Sequence, residues 1–154
     1  MEPDWVPRNA ILTPNKKEFE KLFGCKVRST KCELRSKSGK AKDRETCCET
    51  DYLTKKHQCI IALKGPEMIV CSAKECVLVK GGNAGLTKGG TGDVLAGLTV
   101  ALAAQNPPFL AAAAASFIVK KAAGELYQKV GFAYSSDDLA DKIPEVLGEY
   151  WRQG

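Results

Sequence analysis

Asp93 closes a run of small residues, Gly89-Gly90-Thr91-Gly92, inside the longer segment Asn83-Ala84-Gly85-Leu86-Thr87-Lys88-Gly89-Gly90-Thr91-Gly92-Asp93-Val94-Leu95-Ala96-Gly97. A turn without bulky side chains leaves its backbone N–H groups open. The apolar residues 94–104 that follow read as a helix. Open amides at a helix start, together with the helix dipole, attract a phosphate or a developing anion. A carboxylate held beside such a site is placed to take the proton of a substrate hydroxyl next to a phosphate. The plainer alternative is a glycine-rich loop with an acidic residue in the first helical turn, and no ligand.

Two further groups have a similar setting. Asn15 and Glu18 follow the short apolar run Ala10-Ile11-Leu12, and Lys64-Gly65-Pro66 follows the longer run Cys59-Ile60-Ile61-Ala62-Leu63. Ligands of α/β sheets bind beyond the carboxyl ends of strands, so these groups and residues 89–93 are expected on one rim. The alternatives are ordinary helix N-terminal chemistry for Asn15 and Glu18, and an exposed lysine at a strand end for Lys64.

The elements that must position these groups can be read from periodicity and punctuation. Residues 10–12 form a short strand ending at Thr13-Pro14. Thr13 suits a helix N-cap and Pro14 the first helical position, and Phe19, Leu22 and Phe23 give a helical apolar face closed by Gly24. Residues 26–50 carry few apolar side chains and read as a flexible segment, and a short helix resumes near residues 51–57. Residues 59–63 form a buried strand, and residues 68–71 and 76–79 a β-hairpin. Three helices close the chain: residues 93–105, then 109–130, then one starting at Ser135 or Ser136 with Asp137 and Asp138 in its first turn. The apolar face of the last is Leu139, Ile143, Val146, Leu147 and Tyr150, with Pro144 at a kink. The pattern predicts one α/β layered domain over residues 1–154.

Bulk properties narrow the function classes. At 154 residues and 44% hydrophobic, the chain fits one globular domain. Its longest apolar stretch, residues 93–119, is broken by Gln105-Asn106-Pro107-Pro108 and is rich in Ala, so no membrane span is expected. The opening Met1-Glu2-Pro3-Asp4-Trp5 lacks a secretion signal, which places the expectation in the cytoplasm. The net charge of +5 concentrates in residues 26–56, where Tyr52 is the sole aromatic. That segment reads as a solvated surface or a cationic rim drawing in anionic nucleotides, and nucleic acid is not expected as a partner. The odd count of seven cysteines argues against a disulfide framework, and no C-x2-C pair marks zinc, with or without His57. Cys71 and Cys76 could face each other across the hairpin, and are expected to remain thiols in a reducing compartment.

With these blocks in hand, the chain resembles the ribokinase-like superfamily, and within it the C-terminal part of the NAD(P)H-hydrate dehydratases. The matching residues are Ile11-Leu12-Thr13-Pro14-Asn15-Lys16-Lys17-Glu18-Phe19, Ala62-Leu63-Lys64-Gly65, and residues 82–97, with Ser135-Ser136-Asp137-Asp138-Leu139 resembling the family's ending. The resemblance implies a partial ribokinase-like layered sheet with flanking helices and a β-hairpin. It implies repair of hydrated NADH or NADPH with ADP or ATP as phosphoryl donor and Mg²⁺ as companion ion. Asp93 would be the acid/base residue at the acceptor hydroxyl and would touch the hydrated cofactor together with Asn15, where many relatives carry His. Gly89, Gly90, Thr91 and Gly92 would supply backbone donors to the transferring phosphoryl group, Asn83 would be a further cofactor-binding residue, and Lys64, Gly65, Pro66, Glu67 and Met68 would hold the nucleotide. Glu18, in an Asn-x-x-Glu spacing, would help organise Mg²⁺.

Family domains are nearly twice as long, and the absent N-terminal half would supply a glycine-rich substrate loop and an acidic strand end. That leaves room for a separate N-terminal-half partner, for a homo-oligomer, or for the chain being an excerpt of a longer protein. It also keeps two other readings open: a ribokinase-like small-molecule kinase, which would release a stable phosphorylated product, and a non-catalytic nucleotide-binding module.

Overall fold

The computed structural model describes residues 6–25 and 48–152. Two compact units divide the chain, Met1–Val79 and Lys80–Gly154. The expected flexible segment 26–50 lies outside the described residues up to position 47, and its last three residues begin a helix.

The first unit holds a four-stranded mixed sheet in the order β1-β2-β3-β4, made of β1 (Ile11–Leu12), β2 (Ile60–Leu63), β3 (Met68–Cys71) and β4 (Cys76–Val79). β1 runs parallel to β2, and the remaining pairings are antiparallel. Every residue of β2 and β3 is buried, which explains why these strands read as unbroken apolar runs rather than alternating ones. The register sets Ile61 opposite Cys71 and Leu63 opposite Ile69, so these four side chains share one face. On that face Ile61 and Leu63 join Phe19 and Phe23 of α1 (Lys16–Phe23) and Leu53 of α2 (Cys48–His57) in a single apolar cluster. Each such fully buried large side chain contributes about 1.5–3 kcal/mol.

Helix α1 starts two residues later than the Thr13 cap and Pro14 start predicted. Strand pairing persists beyond Leu12: the Lys64 N–H donates to the Pro14 carbonyl at 2.8 Å, and Asn15 bridges Lys64 in parallel register. The backbone stays extended through Asn15 (φ −79, ψ 173), which becomes the N-cap, and Gly24 closes the helix in the left-handed region as expected. Helix α2 is anchored through Thr54, whose buried hydroxyl lies 3.0 Å from the Ser72 carbonyl at the hairpin turn.

Cys71 and Cys76 are joined in a disulfide, which corrects the expectation of thiols. They face each other immediately before the turn closed by Ser72 N–H on the Glu75 carbonyl, where paired strands come closest, with a Cα separation of 4.1 Å. Cys59, at the start of β2, keeps a thiol in the core, and burial pushes its pKa up. His57 packs 5.7 Å from the Phe23 ring, and no group of three or more metal-ligating side chains occurs among the described residues. Cys32 and Cys47 lie outside the described residues.

The second unit is helical: a 3₁₀ turn at Ala84–Thr87, then α3 (Thr91–Ala103), α4 (Pro108–Val130) and α5 (Ser136–Trp151). Its core is built largely on the alanines of α4, with Ala111, Ala112, Ala115, Ala122 and Ala123 at most 1% exposed. Such small residues let neighbouring helices approach closely. Leu139, Ile143 and Val146 of α5 are buried as predicted, whereas Tyr150 is exposed and pairs edge-on with Phe117. Pro144 lies inside α5. Among the described residues no helix is long and apolar enough to cross a membrane.

Candidate active site

Helix α3 begins at Thr91, two residues earlier than predicted, because the Gly90 carbonyl already accepts from both Asp93 N–H (3.0 Å) and Val94 N–H (3.1 Å). The open turn is thus shorter than expected, with Gly89 and Gly90 outside the helix and Thr91, Gly92 and Asp93 as its first three residues. Gly90 is the N-cap in the left-handed region, φ 85, where only glycine sits without strain. A Cβ there would come 2.6 Å from Ser136 Oγ. No side chain caps this helix. Among the described residues the amides of Gly89, Gly90 and Gly92 make no hydrogen bond, and the Thr91 amide makes only a long one, 3.4 Å, to Lys88.

Asp93 is exposed, and its carboxylate has no partner among the described residues. Three open amides at the positive end of a helix, followed directly by an uncommitted carboxylate, can hold an anion and accept a proton beside it. Thr91 contributes differently. Its side chain is 5% exposed, and its hydroxyl is turned back onto the carbonyls of Leu86 (2.7 Å) and Lys88 (2.8 Å). It shapes the loop and has no side-chain donor left for a phosphate.

Asn83 is similarly spent. Its amide nitrogen donates to the Ala123 carbonyl at 2.7 Å, and its oxygen accepts from Gly85 N–H (2.8 Å) and the Tyr134 hydroxyl (2.7 Å). All three contacts are internal, so the Asn83 side chain holds the loop together. Tyr134 is 1% exposed, and burial raises its pKa. A Cβ on Gly85 would sit 2.2 Å from its hydroxyl, so the loop tolerates no side chain there. Nothing local in the sequence pointed to Tyr134, which meets Asn83 from 51 positions away.

Ser135 caps α5. Its N–H and Oγ both donate to Asp138 Oδ2 at 2.7 Å, which holds the Asp138 carboxyl below its ordinary pKa, and the serine side chain accepts from Asp138 N–H in return. Ser136, one residue on, is the side chain packed against Gly90.

In the first unit the structure brings Asn15, Glu18 and Lys64 together. Asn15 Oδ1 accepts from Glu18 N–H at 3.0 Å and Glu18 Oε2 accepts from Asn15 N–H at 2.7 Å, a complete capping box. The Lys64 ammonium lies 3.6 Å from the same Glu18 oxygen. Glu18 keeps its Oε1 without a partner among the described residues, which suits an ion whose other ligands are phosphate oxygens and water rather than a cage of protein carboxylates. Gly65, Pro66 and Glu67 form the bend after β2, whereas Met68 is the first residue of β3 and 4% exposed. The Met68 side chain therefore belongs to the core.

The sequence profile of the NAD(P)H-hydrate dehydratase family matches residues 6–145. No curated protein matches the chain. Among solved structures, an ADP/ATP-dependent NAD(P)H-hydrate dehydratase from Bacillus subtilis, co-crystallised with ATP and Mg²⁺, aligns with a TM-score of 0.73 at 23% identity, over 94% of this chain and 52% of its own. A ribokinase-like superfamily protein from Enterococcus faecalis aligns at 0.73 and 21% identity, over 97% and 47%. A Streptococcus mutans protein aligns at 0.71 and 22%, over 90% and 46%. The chain thus spans about half the length of the solved structures it matches, and shares the ribokinase-like fold over that half. With the profile covering nearly all of its described residues, the chain belongs to the NAD(P)H-hydrate dehydratase family.

Proposed function

We propose that this chain carries the phosphoryl-transfer half of a cytoplasmic enzyme that dehydrates the hydrated forms of NADH and NADPH, with ADP or ATP as donor. The observation that carries this reading is the set of open amides at Gly89, Gly90 and Gly92 beside the exposed, unpartnered Asp93. The amides take the donor's terminal phosphate as its charge develops. The Asp93 carboxylate removes the proton of the acceptor hydroxyl as that oxygen attacks phosphorus, and the bond to the donor's bridging oxygen breaks. The hydroxyl, a poor leaving group, becomes a phosphate ester. Loss of that phosphate, with a proton from the neighbouring ring carbon, restores the ring double bond.

In this reading Lys64, with Gly65, Pro66 and Glu67, faces the nucleotide, and Asn15 faces the hydrated cofactor. Glu18 Oε1 would be the protein oxygen available to a Mg²⁺ ion, which would supply charge neutralisation at the nucleotide's phosphates.

The test supplies hydrated NADH with ADP or ATP and Mg²⁺, and follows the return of the dihydronicotinamide absorbance. Asp93→Asn should lower that rate by about 10²–10⁴-fold while leaving nucleotide affinity in place. An unchanged rate in the variant overturns the assignment. A second reading rests on the same open amides: a nucleotide-binding module without catalysis. Nucleotide binding by the wild-type chain with no hydrate binding or turnover selects it.

A further inference from the structure

Lys88 precedes the glycine pair, and a lysine there invites assignment as a phosphate ligand. Its ammonium is engaged elsewhere. Nζ donates to the carbonyl of Phe132 and, at 2.6 Å, to that of Tyr134, and it stands 5.0 Å from the centroid of the Tyr134 ring. Both carbonyls belong to the connection between α4 and α5, where no helical ladder engages them. An ammonium has three N–H groups, and two of them are committed here.

The same connection runs straight into Ser135, the cap of α5, and Ser136, whose side chain abuts Gly90. Lys88 therefore ties one end of the glycine turn to the segment that packs against the turn itself. Gly89 and Gly90 have the widest backbone freedom of any residue type and, among the described residues, no amide hydrogen bonds of their own, so their geometry must be imposed from outside. Thr91 and Asn83 fix the flanks of the loop. Lys88 fixes its distance from the start of α5.

We propose that Lys88 is a positioning residue: by clamping the Phe132 and Tyr134 carbonyls it sets Gly89, Gly90 and Gly92 for a phosphate, and does not bind the phosphate itself. This rests on the reading of that loop as the anion site. A ligand lysine would have to give up its bonds to two backbone carbonyls in order to reach the anion.

Amide NMR of the whole chain, titrated with ADP and Mg²⁺, tests this. In the wild-type protein the Gly89, Gly90 and Gly92 signals should move on titration. If they do not, the loop is not the anion site and the proposal falls with that reading, before any variant is made. In Lys88→Met, without nucleotide, the Gly90, Gly92 and Ser136 signals should already be displaced, and ADP should bind about tenfold more weakly, the equivalent of one charge-assisted hydrogen bond. Lys88→Arg, whose fork can reach both carbonyls, should return to within about threefold of wild type.

Weaker binding in Lys88→Met with nucleotide-free signals at their wild-type positions would make Lys88 a direct ligand and overturn the proposal. Unchanged ADP affinity would overturn it too. Should the Met variant fail to fold, Lys88→Gln, which keeps a neutral donor, is read against the same criteria.

Discussion

The capping box at the start of α1 and the glycine turn at the start of α3 are both helix N-termini, but only the first is capped by side chains. At α1, Asn15 and Glu18 satisfy each other's backbone N–H groups and Lys64 stands over the Glu18 oxygen used in that exchange, while Glu18 Oε1 stays open. At α3 the cap is a glycine with no side chain to offer, and three amides stay open next to an unpartnered acid. Residue types that can serve an anion are also those that cap helices best. What separates the two uses is whether the local backbone has already consumed them.

Gly90→Ala attacks the open end most directly. A left-handed φ of 85 and a Cβ 2.6 Å from Ser136 Oγ together should cost about 2–4 kcal/mol. Thermal unfolding should show that loss, and ADP should no longer raise the midpoint. Asn83→Ala removes the support behind that end, leaving the Tyr134 hydroxyl, the Gly85 amide and the Ala123 carbonyl without their shared partner. A loss of about 2–3 kcal/mol is expected from denaturant titration. A loss below about 0.5 kcal/mol would show that the loop does not depend on this hub.

Glu18→Gln probes the capped end. Glutamine also completes a capping box, so stability should change by less than about 0.5 kcal/mol. Any larger fall in ADP affinity that depends on added Mg²⁺ would assign the carboxylate to the ion, and equal affinity with and without the substitution would leave it a cap.

The smallest effect concerns pH. Burial raises the pKa of both Cys59 and Tyr134 above their ordinary values, so their neutral forms stabilise the fold. That stabilisation is complete below the unfolded-state pKa values, near 9.0 for the thiol and 10.0 for the phenol, and is lost as pH climbs through the raised folded ones. The unfolding midpoint should fall on going from pH 8 to about pH 10.5. Tyr134→Phe should flatten the upper part of that fall.

Much of the architecture was legible because it rests on local rules. The hairpin appears at residues 68–71 and 76–79 as its apolar runs and polar turn predict, and α4 and α5 begin within a residue of their expected positions. The misjudged helix starts share a cause that local rules do not contain. At α1, pairing between the strand backbone and Lys64 carried the extended conformation past Thr13 and Pro14. At α3, the Gly90 carbonyl opened the helix before its apolar residues began.

The site shows the same division. Asp93 and the glycines were visible as a motif, but the commitment of the Asn83 and Thr91 side chains depends on partners such as Tyr134 and Ala123 that no spacing rule connects to them. The Cys71–Cys76 link was visible as a facing pair, and only its oxidation state was misjudged, from the compartment rather than from geometry.

Pro144 splits α5 mechanically. A proline brings no N–H to the Ala140 carbonyl four residues back, so the ladder has a missing rung midway along the helix. Fraying that enters from Trp151 can halt there instead of running on to Ser135. The turns beside Gly90 are thereby insulated from motion at the far end, and hydrogen exchange should fall into two regimes on either side of that residue.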